Sequence, residues 1–167
     1  MGLLDKLKGS KPAKPGVAPV SVGDLRSALL RLSRDTAPWQ VRDGAEDGCD
    51  LVAEWRIVDA QWYGIFFGYG LNKVFRVKLK FDEEAHEVRN VDEQATVTWR
   101  DGIPSVSKSW SRGQINEIES GQALGFTEEG EFGQVYNYKF RSSEIKDPLR
   151  DAVIEHGWGW KAVSFKL

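Results

Sequence analysis

ATVTWRDGIPSVS, residues 95–107, is the stretch that decides the fold. Two short runs of alternating side chains flank the dipeptide Asp101-Gly102, which favours a two-residue hairpin turn because both positions tolerate a positive φ. The turn sets the pairs Arg100 with Ile103, Thr98 with Ser105, and Thr96 with Ser107. The sequence therefore predicts an antiparallel hairpin that points Trp99 to the core and a row of hydroxyls outward.

Other segments show patterns typical of strands that bury one face. They are DLVAEWRI at 50–57, KVFRVKLKF at 73–81, HEVRNV at 86–91, PSVSKSWS at 104–111, ALGFT at 123–127, GQVYNYKF at 133–140 and WKAVSFKL at 160–167. A turn at DEEA, residues 82–85, would pair Phe81 with His86. In that register Leu79 meets Val88, and His86 lies beside Phe81 on the core side.

Two segments carry the signals of helix ends. In SVGDLRSALLRLSRD, residues 21–35, Ser21 can cap the helix, and leucines recur at helical spacing. A second helix is predicted to start near Asp147, which can act as its cap with Pro148 in the first turn. Gly157 would end that helix in the left-handed conformation.

With 167 residues and 41% hydrophobic side chains, the chain is long enough for one compact core. We predict a single α+β domain over 21–167, with a curved antiparallel β-sheet of about seven strands, an N-terminal helix, a central aromatic helix, and a C-terminal helix followed by a last strand. Residues 1–20 are predicted to be a flexible N-terminal tail or linker, because their prolines and lysines favour an extended, solvated chain.

The central aromatic segment QWYGIFFGYG, residues 61–70, mixes large apolar side chains with three glycines. As a helix ended by Gly70, it would present an apolar arc of roughly 200°, wider than the stripe that one core contact covers. Phe66 is then buried, whereas Tyr63 and Phe67 lie at the margin and need cover from the N-terminal helix, a partner or a ligand. A strand over the same residues is the alternative.

The first residues could form a small amphipathic element. Leu3, Leu4 and Leu7 would share one side of a helical turn or two, with Lys6 and Lys8 beside them. Apolar side chains flanked by lysines suit weak docking to a membrane surface or to a protein partner. The alternative is a frayed terminus whose lysines only keep it solvated.

The charges nearly cancel, with 23 basic and 25 acidic residues, so we expect no nucleic-acid partner. The single cysteine, Cys49, cannot form an intramolecular disulfide, and the N-terminus lacks the apolar core of a secretory signal. The longest apolar run is far shorter than the ~20 residues that span a bilayer. The sequence therefore predicts a soluble, cytoplasmic protein.

DGAEDGCDLVAE, residues 43–54, partly matches an EF-hand calcium loop, because Asp43, Asp47 and Glu54 stand at ligand positions. Ala45 replaces another expected ligand, and the preceding sequence does not predict an entering helix. We expect that the match is accidental and that the protein holds no metal and no cofactor.

No pattern assigns a catalytic residue. The leading interpretation is a non-enzymatic binding or adaptor domain that engages a protein partner through the aromatic segment or the hydroxyl-lined sheet face. Its candidate binding residues are Tyr63, Phe67, Trp62 and Trp110. The alternative is a small-molecule-binding sheet or half-barrel, with or without enzymatic activity, whose aromatic-lined pocket would use Trp55, Trp62, Phe66 and Trp110.

Overall fold

The computed structural model describes residues 2–3, 9–114, 118–119 and 140–167. Within these ranges the helices are α1 (Val22–Leu30), α2 (Tyr63–Gly68) and α3 (Ser142–Glu155), and a 3-10 turn spans Ala45–Asp47. The strands are β1 (Trp39–Asp43), β2 (Leu51–Trp55), β3 (Lys73–Asp82), β4 (Glu87–Arg100), β5 (Ile103–Val106), β6 (Ser111–Gly113), β7 (Ile118–Glu119), β8 (Phe140–Arg141) and β9 (Gly159–Ala162).

Seven of the described strands form one sheet, in which β1 to β5 are neighbours in chain order. The 14-residue strand β4 pairs with β3 along one edge, and β9, β6 and β5 share its other edge. These pairs are antiparallel except β4 with β9, which run parallel. β7 and β8 form a separate two-stranded ladder. The predicted α+β domain with about seven strands in an antiparallel sheet is confirmed.

The hairpin of β4 and β5 has the predicted register. Its pairs are Arg100 with Ile103, Thr98 with Ser105, and Thr96 with Ser107. Asp101 and Gly102 have φ values of 53° and 75°, as the two-residue turn requires. Val97 is buried, and the threonine and serine side chains of the hairpin lie exposed on the other face.

The predicted register of the β3–β4 hairpin is wrong by two residues. Phe81 pairs with Val88 rather than with His86. The turn decides this register, because the Asp82 carboxylate accepts a hydrogen bond from the Ala85 N–H at 3.0 Å and the loop begins after Asp82. His86 is therefore an exposed loop residue with a φ of 50° and not a core neighbour of Phe81.

The two long helices cover one side of the sheet, called the helix side here. Lys146 of α3 reaches Asp92 of β4 at 2.8 Å, and Arg26 of α1 pairs with Asp43 of β1. Paired residues in neighbouring strands point to the same side. The other side, called the second side, therefore carries two cross-strand rows, Arg42–Val52–Lys78–Val91 and Gln40–Glu54–Arg76–Glu93.

α1 is capped as predicted, since Ser21 Oγ accepts a hydrogen bond from the Asp24 N–H at 3.1 Å. α3 begins earlier than predicted, at Ser142 rather than near Asp147. Its buried face consists of Ile145, Leu149 and Val153, all fully buried. This face starts before Pro148, so burial of apolar area outweighs the helical hydrogen bond that an interior proline removes.

The predicted end of α3 at Gly157 is confirmed. Gly157 has a φ of 78°, and the following Trp158 N–H donates to the Val153 carbonyl at 3.2 Å. A Cβ at position 157 would lie 2.5 Å from the Ala18 carbonyl oxygen. The glycine is thus required both by the left-handed turn and by the close approach of the N-terminal segment.

That N-terminal segment contacts the domain from Ser10 onward. Lys11 exchanges two backbone hydrogen bonds with Trp160 of β9, both 2.8 Å, and Ser10 Oγ accepts from the Ala162 N–H at 2.8 Å. Val20 accepts from the Trp158 indole at 2.9 Å. Residues 10–20 of the predicted tail therefore contact the domain: Lys11 forms a β-bridge with Trp160 of the last strand, and Lys14 and Val20 bond backbone groups at the end of α3.

The sequence pattern misses two features of the sheet. β1 was not predicted, although its Val41 is buried. HEVRNV and ATVTWR, predicted as separate strands, are parts of the continuous strand β4. Asp92 and Glu93 interrupt the apolar pattern between them, yet these residues are 0% and 1% exposed. The predicted segments ALGFT and most of GQVYNYKF lie outside the described residues.

Candidate functional site

The central aromatic segment forms the short helix α2, so the helix prediction is confirmed over Tyr63–Gly68. Asp59 closes the turn before it, because its carboxylate accepts from the Gln61 N–H at 3.0 Å. Gly70 ends it with a φ of 65°, and the Leu71 N–H donates to the Phe66 carbonyl at 3.2 Å. The glycine predicted to stop the helix does so in the left-handed conformation.

One face of α2 is core. Trp62 is 1% exposed and Phe66 is fully buried, with its ring 6.5 Å from that of Trp55 in an edge contact. In the alternative small-molecule interpretation, Trp55, Trp62 and Phe66 would line a ligand pocket. They are instead part of the hydrophobic core, so the aromatic pocket of the small-molecule interpretation is not formed by these three rings.

The other face of α2 reaches the surface. Phe67 is 50% exposed, and its ring meets the ring of Trp99 edge-on with centroids 5.5 Å apart. Tyr63 lies one turn earlier on the same face, and its hydroxyl donates to the Val58 carbonyl at 3.1 Å. Trp99 lies opposite Pro104 in the hairpin. We call Val58, Tyr63, Phe67, Trp99 and Pro104 the aromatic patch.

The aromatic patch rests on fixed side chains. The Trp99 indole N–H donates to the Leu71 carbonyl at 2.6 Å, which holds the ring against the end of α2. The Tyr63 hydroxyl is held by its own hydrogen bond. The two rings that flank Phe67 are therefore positioned before any partner arrives. Trp99 was not predicted to be a neighbour of Phe67, because the contact joins residues far apart in the chain.

Trp110 lies elsewhere, on the second side of the sheet. The guanidinium of Arg76 stacks over its ring at 3.8 Å from the centroid. The four candidate binding residues are therefore separated. Tyr63 and Phe67 share one surface, Trp62 is in the core, and Trp110 belongs to a charged cluster on the second side.

That cluster is centred on Glu93, whose side chain is 2% exposed. Arg76 and Arg112 bond its carboxylate at 2.7 Å and 2.6 Å, and Lys78 lies at 3.4 Å. Burial alone raises the pKa of Glu93, but the hydrogen bonds from Arg76 and Arg112 outweigh it and the net pKa is lowered. The carboxylate stays ionised and holds three cations together.

The residues of the partial calcium loop are engaged with arginines. Asp43 pairs with Arg26, while Asp47 and Glu54 bond Arg42 at 2.8 Å and 2.6 Å. Burial raises the pKa of Asp47. The hydrogen bond from Arg42 and the charges of nearby cations lower this pKa by more, so the net shift is downward. In the described part of the chain, no group of three or more acidic, histidine or cysteine side chains is arranged to hold a metal ion.

Cys49 and the two histidines are engaged in packing or hydrogen-bond contacts. Cys49 is buried, and burial raises the pKa of its thiol, which keeps it protonated and unreactive. The His86 ring contacts Trp158 edge-on at 5.3 Å. His156 Nδ1 lies 2.6 Å from the Ala152 carbonyl oxygen just after α3.

Leu3 is 75% exposed. The other residues of the predicted docking element, Leu4, Lys6, Leu7 and Lys8, lie outside the described residues. Among the helices that the structure describes, none is long and apolar enough to cross a membrane.

Compared with known proteins, the chain matches no family model, and neither a curated protein nor a solved structure shows significant similarity to it.

Proposed function

We propose that this domain is a non-enzymatic protein-binding module and that the aromatic patch is its docking surface. The observation that carries the proposal is the exposure of Phe67. Its side chain is 50% exposed, although the preceding residue of the same helix, Phe66, is fully buried. Tyr, Trp and Phe are enriched at protein interfaces relative to the rest of the surface, and Trp and Tyr are frequent among the residues that dominate binding energy.

The patch is suited to a partner segment that presents an aliphatic or aromatic side chain. The ring planes of Phe67 and Trp99 are inclined at 65° to each other. The exposed surfaces of the two rings therefore form an apolar corner and not a flat surface. Aromatic rings lose little conformational freedom on binding, because each has few rotatable bonds. Val58, which is 69% exposed, extends the apolar surface beside Tyr63.

A photo-reactive benzoylphenylalanine at position 67 tests the proposal. In cells, it should cross-link one dominant protein, and excess wild-type domain should compete with that adduct whereas a Phe67→Ser domain should not. Position 165 provides the matched control, because Phe165 is 75% exposed but lies near the end of the chain. Identical adducts from positions 67 and 165, or adducts that wild-type domain does not reduce, would contradict the proposal.

The exposed hydroxyl row of the β4–β5 hairpin is the second surface that sequence analysis connected with a partner. It lies on the face opposite Trp99, so a cross-linker at Thr98 probes it independently of the aromatic patch. If a cross-linker at position 98 yields an adduct that excess wild-type domain reduces, and the cross-linker at position 67 does not, the docking surface is the hydroxyl row.

We also propose a cytoplasmic location, because a buried, unpaired cysteine suits a reducing compartment. We propose weak membrane-surface association, through Leu3, Leu4, Leu7, Lys6 and Lys8, as an additional role of the N-terminus. Cosedimentation with vesicles containing an anionic lipid tests it. Removal of residues 1–8 should abolish the sedimentation, and equal sedimentation of both proteins would exclude this role.

A further inference from the structure

Three basic side chains lie in one cross-strand row on the second side of the sheet. Lys80 of β3 pairs with Arg89 of β4, and Arg89 pairs in turn with Lys161 of β9. Paired residues point to the same side of a sheet. Like charges that lie directly opposite each other in an antiparallel pair repel and destabilise it. We call these three residues the basic row.

Two members of the basic row lack the carboxylate partners that other cations of this side have. Four cations on the second side each lie within 3.4 Å of a carboxylate oxygen, namely Arg42, Arg76, Lys78 and Arg112. Among the residues that the structure describes, neither Lys80 nor Arg89 forms an ion pair. The chain itself therefore leaves these two opposed charges unbalanced.

Arg89 also has unused hydrogen-bond donors. Its Nε–H is buried and has no acceptor. One terminal nitrogen donates to the Lys166 carbonyl at 3.4 Å, which is longer than the ~2.7–3.2 Å of ordinary N–H···O bonds. A guanidinium offers five N–H donors in a fixed fork, and a buried donor without an acceptor lowers stability. An acceptor from outside the chain would therefore be stabilising at this position.

A cleft of about 420 Å³ adjoins these two side chains. Lys80 and Arg89 line it, and so do Asp82 and Glu83 at the start of the β3–β4 loop. The Asp82 carboxylate is engaged with its own loop, since it accepts from the Ala85 N–H at 3.0 Å. Glu83 is exposed, so water and salt screen its charge. The cleft thus gives a ligand access to two cations.

We propose that the basic row binds a phosphate group and that Arg89 and Lys80 contact it directly. A phosphate monoester has a charge of about −1.5 to −2 at neutral pH and three strong acceptor oxygens, so one group balances both cations. A carboxylate has a single charge and would leave one cation unbalanced. The Arg89 fork can bind two phosphate oxygens, Lys80 adds a point charge, and Lys161 adds positive charge next to Arg89.

Two sources present this chemistry, namely a soluble phosphorylated compound and the headgroup of an anionic lipid. Titration of the protein with pyrophosphate tests the first source. Cosedimentation with phosphatidylcholine vesicles that contain phosphatidic acid tests the second. Sedimentation is assigned to the basic row only where Arg89→Gln reduces it, because the N-terminus is proposed to contact anionic vesicles by itself.

The readout of the titration is the Nε–H signal of Arg89 in heteronuclear NMR spectra, assigned through its loss in Arg89→Lys. Pyrophosphate should shift this signal in a saturable manner, and acetate at the same ionic strength should not. Arg89→Gln and Lys80→Gln should each weaken binding by about tenfold or more, because each removes a charge-assisted hydrogen bond. Arg89→Lys should weaken it less, since it keeps the charge and loses only the fork.

Arg150→Gln is the matched control, because it removes the same charge from α3 on the helix side and should bind pyrophosphate as wild type does. Without ligand, Lys80→Gln should not lower the denaturant midpoint, since it relieves repulsion across the strand pair. This separates loss of binding from loss of folding.

The proposal is overturned if neither pyrophosphate nor the vesicles bind, if acetate shifts the Arg89 signal as strongly as pyrophosphate, or if Arg89→Gln binds as wild type does. Arg89-dependent binding of vesicles without binding of pyrophosphate would assign the phosphate to a lipid headgroup. None of these results bears on partner docking at Phe67.

Discussion

Phe66 and Phe67 are adjacent in the chain but opposite in environment, since the ring of Phe66 is fully buried and that of Phe67 is 50% exposed. The helical geometry of α2 turns consecutive side chains by about 100°, which places one ring in the core and the next at the margin beside Trp99. The aromatic segment is thus both core and surface, divided along the axis of one short helix.

Phe66→Ala should lower the free energy of unfolding by about 3–5 kcal/mol, because it leaves a cavity in the packed core. Phe67→Ala should cost less than half of that, since about 0.5–1.5 kcal/mol is typical of one aromatic pair beyond its buried area. Denaturant melts of the two variants measure the difference. Equal and large losses would show that the aromatic patch is part of the core and not a docking surface.

Glu93→Gln should lower the free energy of unfolding at neutral pH by about 3–5 kcal/mol, the usual cost of breaking a buried ion pair. Because the folded-state pKa of Glu93 lies below its ordinary value of 4.5, its stabilising contribution is complete above that value and is lost as the pH falls through the folded pKa. The variant should therefore lose stability less steeply in acid.

Urea melts from neutral pH down to mild acid measure both effects. Glu83→Gln is the matched control, because Glu83 is exposed in the β3–β4 loop and should leave the profile unchanged. A wild-type acid profile in Glu93→Gln would show that other carboxylates determine the acid sensitivity.

Ser33→Ala should expose the outer edge of β1. The Ser33 hydroxyl accepts a hydrogen bond from the Val41 N–H at 2.7 Å and donates one to the Val41 carbonyl at 3.1 Å. Loss of both should cost about 1–3 kcal/mol and leave strand groups free to pair with another chain. Light scattering should then detect concentration-dependent association. Ser27→Ala, on the exposed face of α1, is the control and should stay monodisperse to the same degree as wild type.

Removal of residues 1–16 should destabilise the domain. It eliminates two bonds between Lys11 and Trp160, one between Ser10 and Ala162, and one from the Lys14 N–H to the Ile154 carbonyl at 2.9 Å. At about 1 kcal/mol for each bond, the loss is roughly 2–5 kcal/mol. Ser10→Ala should reproduce about a quarter of it. An unchanged melting temperature after truncation would instead support the prediction that these residues are a flexible tail.

Local signals in the sequence predicted the parts of the fold that depend on neighbouring residues. The Asp101-Gly102 turn predicted its own hairpin, because positive φ values are tolerated at both positions. Ser21 and Gly157 predicted a helix start and a helix end for similar reasons. The division between Phe66 and Phe67 followed from helical periodicity alone.

Contacts between distant segments decided the rest. The acidic pair Asp92 and Glu93 interrupts the apolar pattern, and it lies within a buried strand because Lys146, Arg76 and Arg112 arrive from other elements to neutralise it. No window of sequence contains these partners together. The same holds for Trp99, whose contact with Phe67 joins the hairpin to α2.

By itself, then, the sequence determined the α+β class, the hairpin of β4 and β5, the start of α1, and the glycines that end α2 and α3, since each depends on dihedral preferences and burial periodicity within a few residues. Only the tertiary structure decided that Lys11 pairs with Trp160 of β9 and that Trp110 stacks on Arg76. These arrangements rest on hydrogen bonds and charge contacts between residues far apart in the chain. Their energies arise when the whole sheet forms, because only then are the partners brought together and the competing water removed.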